Sequence, residues 1–262
     1  MSKISNKGKL FLFISMILIY LPVLSLIIFS FNSSKSVIRF TGFSLEWYQK
    51  LFESDQIMNA VYTTITVAII STVISTIIGT FGALLISKNK RAIRELLLRV
   101  NNLPIVNPEI VTAIGFFVLF SSLTFERGFI TMLMAHIAFS VPYVVITVLP
   151  KVNQLDQDLI SASYDLGATP IQTIWYVIFP QIKVGVIAGA AIAFAMSFDD
   201  FVISYFASSG SAVQNISIYL YTLKRGLEPT INALSTIIIF FISFKIMYDY
   251  IKDFSKIKEE IE

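Results

Sequence analysis

An all-helical fold that crosses a membrane several times follows from three observations. The 262-residue chain is 55% hydrophobic and 14% charged, where soluble domains carry about 25% charged residues. Its apolar residues gather in unbroken runs of about 20, long enough to cross a hydrocarbon core of about 30 Å as helix. The runs do not alternate in segments of about ten, as membrane-barrel strands would. Helices and closed barrels are the structures that satisfy backbone polar groups in lipid.

Six spans are predicted, forming one transmembrane domain over residues 1–262. They run from about Leu10 to Phe31, Met58 to Ile86, Pro104 to Leu123, Phe129 to Leu149, Val184 to Phe206 and Ile231 to Ile251. The first run exceeds the apolar region of a cleaved signal peptide, and no A-x-A-like site follows it. It reads as an uncleaved span.

Lys and Arg cluster on one side of this arrangement. That side holds Lys3, Lys7, Lys9, Lys88, Lys90, Arg91, Arg94, Arg99, Lys151, Lys183, Lys252, Lys256 and Lys258. The other holds Lys35, Arg39, Lys50, Arg127, Lys224 and Arg225. The bias places both termini and the loop after the fourth span in the cytoplasm. It also accounts for the net charge of +3 without nucleic acid. The chain has no cysteine and one histidine. Disulfides and thiolate chemistry are therefore excluded, and no His-rich metal centre is expected.

The cytoplasmic loop, about 151–182, carries helix signals of its own. Asp156 is placed to cap a short helix, with Asp158 in its first turn. Gly167 is placed to end it in a left-handed turn. Thr169-Pro170-Ile171-Gln172 reads as a second start: a cap, a proline at the first helical position and a capping-box glutamine. Pro180 marks an end, or the beginning of the fifth span. The small residues Ser161, Ala162, Ser163, Gly167 and Ala168 allow another surface to approach closely. These residues leave two readings, a docking element and an ordinary connection. A connection of about thirty residues is long for the second.

The segment resembles the EAA loop of permease subunits in ATP-binding-cassette importers. The matching positions are Ser161, Ala162, Ser163, Gly167 and Ala168, with Phe179-Pro180 beyond. Ser161 stands where the family usually has Glu, and Ser163 where it has Ala; Asp158 or Asp165 offers a replacement charge. The resemblance extends to Tyr20-Leu21-Pro22, Ser30-Phe31-Asn32, Phe43 to Tyr48, Pro108 to Val111, Met196 to Asp200 and Pro229 to Leu234. Together these look most like the second permease of spermidine/putrescine importers. The resemblance implies an importer-permease fold in a bacterial cell membrane, with Ser161, Ala162, Ser163, Asp165, Gly167 and Ala168 coupling to an ATPase. It implies a second permease, ATPase subunits and an extracytoplasmic solute-binding protein as partners. It also implies no cofactor on this chain, with ATP used by the ATPase.

Small residues recur every four positions at Gly185, Gly189, Ala193 and Ser197, and at Ser71, Ser75, Gly79 and Ala83. Such faces let helices pack closely. Asp199 and Asp200 fall about 24 Å along the fifth span from Lys183. Lipid is a costly surrounding for two carboxylates. Either they face a cationic substrate, or one caps a helix break or pairs with a base. Glu109, after Pro108, reads as a carboxylate at the cytoplasmic start of the third span. His136 reads as a packed ring with a satisfied nitrogen, and Pro142 as a kink. Tyr219 to Tyr221, with Lys224 and Arg225, read as an interfacial belt or as a contact for a binding protein.

No G-x-x-x-x-G-K-[ST] loop occurs, so ATP hydrolysis falls to a partner. A transport subunit without catalytic chemistry is the leading function, for polyamines or, as the alternative within the same class, for another small solute. An intramembrane aspartyl hydrolase would need two carboxylates on one water, and adjacent helical residues diverge by about 100°. A scaffold or channel without ATP coupling is the remaining class.

Overall fold

A computed structural model describes residues 5–36, 38–208, 213–223 and 229–259. Lys3, Lys224 and Arg225, used above for the charge bias, lie outside the described residues. Among the described residues the elements are helices, with one isolated β-bridge pairing Asn32 and Phe43. Five helices among the described residues are long and apolar enough to cross a membrane, and a sixth crossing follows if one bent pair counts as a single span.

The chain divides into two compact units, residues 1–58 with 223–262, and residues 59–222. In the first unit, α1 (Asn6–Ser30) and α2 (Glu46–Glu53) pack against α12 (Pro229–Glu259). Asn32, fully buried, ties the turn after α1. Its amide donates to Ser36 and Arg39 carbonyls at 2.8 and 2.9 Å, and its carbonyl oxygen accepts from Thr41 N at 2.8 Å. Trp47 Nε1 donates to the Asn32 backbone carbonyl. A buried indole thus finds its partner in the same knot.

The second unit is built on α3 (Asp55–Lys88), α6 (Phe129–Val152) and α9 (Phe179–Asp199). Ala83, Val144, Val148, Ile182 and Ala193 form its apolar core with their neighbours. The small residues of the sequence stripes sit at the closest approaches. A Cβ built on Gly79 would stand 2.6 Å from Val144 Cβ, and one on Gly189 would stand 3.3 Å from Val144 Cγ1. Val144 is therefore flanked by glycines of two helices. A Cβ on Gly185 would meet Lys151 Cγ at 2.8 Å.

Three expected boundaries differ. Where the third span was expected, over 104–123, the structure has α4 (Arg91–Val106) and α5 (Glu109–Ser122), bent by 101° at Asn107-Pro108. Proline disfavours helical backbone at the residue before it, and Asn107 is extended at ψ 143°. The fifth span, expected over 184–206, ends instead at Asp199 and resumes as α10 (Val202–Ala207). At its other end it does not start near Pro180. Helix runs unbroken from α8 (Pro170–Thr173) through a π-helical turn (Ile174–Ile178) into α9. Pro180 has no N–H for the usual bond and its ring crowds the carbonyl four residues back. The wider π turn directly before it accommodates both. Gln181 Nε2 donates to the Val177 carbonyl at 2.9 Å in the same turn. Pro142 and Pro150 are likewise carried within α6 without a break.

Candidate functional site

Two helix breaks frame a cavity in the second unit. Its volume is about 450 Å³, and Pro104, Asn107, Glu109, Tyr143, Asp199 and Asp200 are on its wall. Phe139 and Phe201 add aromatic surface. The cavity corrects the expected placement of Glu109. The sequence put it at the cytoplasmic mouth and the aspartates about 24 Å deeper. The structure brings all three to one cavity, with the Glu109 carboxyl facing that of Asp200. The reason is α4. Arg91 begins helix rather than loop, so Glu109 follows a full helix and a sharp bend. It still stands in the first turn of α5, where a carboxylate suits the helix dipole.

Asp199 and Asp200 separate into different settings. Asp199 is exposed at the end of α9 and its side chain borders the cavity. Asp200 is buried and begins the break. Its oxygens accept from Ile203 N at 3.3 Å, Ser204 N at 2.7 Å and Ser204 Oγ at 2.6 Å. It is the carboxylate that caps a helix break, satisfying amides that begin α10. With its oxygens held in this way, it does not converge with Asp199 on one water, as an aspartyl hydrolase requires.

His136 lies beside this cap with both ring nitrogens partnered, Nδ1 to Ser197 Oγ at 2.6 Å and Nε2 to Ser204 Oγ at 2.8 Å. Nε2 is also 3.4 Å from Asp200 Oδ2. Asn215 Nδ2 donates to Ser204 Oγ and to the Asp200 backbone carbonyl, both at 2.8 Å. The sequence reading missed these partners because they lie 61 and 68 residues from His136. The one local signal was Ser197-x-x-Asp200-x-x-x-Ser204 around the break. Among the described residues, no three His, Cys, Asp or Glu side chains stand together to hold a metal ion.

The second feature is the elbow between the fourth and fifth spans. Asp156 caps α7 (Gln157–Asp165) by accepting from Asp158 N at 2.9 Å. Gly167 has φ +81°, a left-handed conformation that glycine adopts without strain. Thr169 and Gln172 form a reciprocal capping box at the start of α8. Of the residues expected to couple, Ser161, Ala162, Asp165 and Gly167 are exposed and Ala168 is half-buried. Ser163 is not on that surface. It is buried, with Oγ 2.9 Å from Thr173 Oγ1, and so braces α7 against α8. Leu166, at the tip, is 90% exposed.

The chain is a membrane transport component without catalytic chemistry of its own. The chain belongs to the family described as "Binding-protein-dependent transport system inner membrane component", matched over residues 75–254. It is an ATP-binding-cassette importer permease, a multi-pass membrane component that works with a binding protein and other subunits. The putrescine transport system permease protein PotI of Escherichia coli K12 is 32% identical to it over 84% of this chain and 81% of the relative. The spermidine/putrescine transport system permease protein PotC of Haemophilus influenzae is 31% identical over 87% and 89%. The fold is shared with a bacterial transporter described as importing alginate. There the TM-score is 0.72 at 14% identity, over 97% of this chain and 99% of that one.

Proposed function

We propose that the chain is the permease subunit of an ATP-driven importer of polyamines. It lines the translocation path together with a second permease. The elbow of α7 and α8 seats in an ATPase subunit, and an extracytoplasmic solute-binding protein delivers the cargo. Both termini then lie in the cytoplasm with the elbow, in keeping with the Lys and Arg bias. One observation carries the choice of cargo. Glu109, Asp199 and Asp200 share a cavity with Phe139, Tyr143 and Phe201. Carboxylates offer an amine transient charge pairing, and aromatic faces attract ammonium groups. A lipid-facing position would make three carboxylates costly, whereas a cationic cargo gives them a use. Asp199 and Glu109 are the carboxylates presented to that cargo, and Asp200 contributes from the rim while capping α10. Relatives that transport putrescine and spermidine support the same choice.

The test is ATP-dependent uptake of labelled spermidine and putrescine by the complete transporter in vesicles. Asp199→Asn and Glu109→Gln are expected to lower uptake about tenfold each, as for loss of a charge-assisted hydrogen bond to the cargo. Wild-type rates in both variants would remove the cavity from the path. Uptake of neither polyamine by the wild-type assembly would overturn the cargo.

A further inference from the structure

One side chain from a third helix bridges the break between α9 and α10. Ser197 precedes the break on α9 and Ser204 follows it on α10. His136 of α6 holds one with each ring nitrogen. His136, Ser197, Ser204 and Asn215 are all no more than 2% exposed, so water does not compete for these bonds.

The donors and acceptors fix which nitrogen bears the proton. Ser204 has a single hydroxyl proton, and it goes to Asp200 Oδ2. Its lone pairs remain for Asn215 Nδ2 and the ring. The Asn215 amide nitrogen donates. The ring nitrogen at Ser204 must donate too, which puts a hydrogen on Nε2. At the other end, the single hydroxyl proton of Ser71 has two acceptors in reach, the Ala68 carbonyl at 3.3 Å and Ser197 Oγ at 3.0 Å, and the nearer takes it. That leaves the proton of Ser197 for Nδ1 as acceptor. Every group is then satisfied by a neutral ring, and the bonds run in one direction: Ser71, Ser197, His136, Ser204, Asp200.

We propose that His136 is a positioning residue for the cation path. As the neutral Nε2–H tautomer it orients Ser204, and through it holds the Asp200 carboxylate at the cavity rim and fixes how α10 leaves α9. His136 itself does not line the cavity wall. The inference rests on the cavity being that path.

The chain's single histidine makes the tautomer directly readable. The chain is labelled with ¹⁵N-histidine and assembled with unlabelled partner subunits, and the ring nitrogens are observed by NMR. The expected spectrum is a neutral ring protonated at Nε2, which changes in Asp200→Asn because a neutral amide replaces the charged acceptor of the Ser204 hydroxyl. An imidazolium, an Nδ1–H tautomer or a spectrum insensitive to Asp200→Asn overturns the proposal. Uptake of labelled spermidine supplies the second readout. His136→Phe is expected to lower it about tenfold or more, as for a buried network left unsatisfied. In the Asp200→Asn background the same change is expected to add nothing, since coupled residues are not additive. Independent, multiplying losses would contradict a role through Asp200. If His136→Phe fails to accumulate in the membrane, Ser204→Ala removes the hydroxyl that links the ring and Asn215 to Asp200 and is expected to lower uptake likewise; wild-type uptake there overturns the proposal. A wild-type assembly that moves neither polyamine sinks the cargo reading alone, and the ring spectra still decide the role of His136.

Discussion

Gly79 and Gly167 are the same residue in opposite settings. Gly79 lies where α3 meets α6, with space for its hydrogen and no room for a methyl group. Gly167 has nothing within 4 Å of where a Cβ would stand, yet its φ of +81° belongs to glycine. The first is required by a neighbour's side chain and the second by the backbone's own turn. The α3–α6–α9 seam is completed by residues of this chain, with Val144 and Val148 fully buried. The elbow is set by caps and a turn while its tip, Leu166, stays 90% exposed. An element shaped by its own caps that offers an apolar tip is suited to a partner, as the proposed ATPase contact requires.

The largest effect expected from testing this contrast is at Gly79. Gly79→Ala drives a Cβ to 2.6 Å from Val144 Cβ and 2.7 Å from Val144 Cγ1. A β-branched core side chain held by two helices has little freedom to yield. Overpacking of this kind costs about 1–3 kcal/mol, read as a lower thermal midpoint and lower abundance in the membrane. Gly189→Ala presses on the same valine from α9 at 3.3 Å, so its cost should be clearly smaller. Equal midpoints for the two variants would mean that the seam is looser than its distances say.

A smaller effect is expected at the elbow. Gly167→Ala meets no atom, so its cost is that of a left-handed residue carrying a Cβ, about 1 kcal/mol. Its stability loss should fall below that of Gly79→Ala. Its loss of ATPase binding, measured by co-purification of the assembled complex, should be the greater of the two. The contrast fails if Gly79→Ala, with its chain folded, sheds the ATPase while Gly167→Ala retains it.

Much of this contrast was legible in the sequence because it is written locally. The caps at Asp156 and Thr169, the turn at Gly167 and the four-residue stripes each depend on a few neighbouring positions. What escaped was set by residues far apart. The inward turn of Ser163 depends on Thr173. The satisfaction of His136 depends on two serines across a helix break that hydropathy hides, since α9 and α10 are both apolar. The break in the third span was signalled by Pro108, but its 101° bend and the amphipathic α4 before it were not. The consequence was to misplace Glu109 relative to Asp199. Apolar periodicity places a residue along a span only when that span is straight.

The smallest effect on the chain itself is expected at Leu166, and it divides the two regions most sharply. Its side chain is almost wholly exposed at the C-terminal end of α7. Its backbone N–H bonds to the Ala162 carbonyl at 3.1 Å, which a substitution other than proline retains. Leu166→Ser therefore removes apolar surface without opening a cavity, and its stability should stay within about 0.5 kcal/mol of wild type. If the tip seats in the ATPase, the same change exposes an unfilled apolar pocket on that partner. Buried apolar anchors at an interface commonly contribute more than 1 kcal/mol each. Weaker retention of the ATPase with an unchanged thermal midpoint is the expected pair of results. Full retention would show that the exposed leucine meets lipid or solvent, and that the elbow is gripped on its small-residue face at Ser161, Ala162 and Gly167 instead.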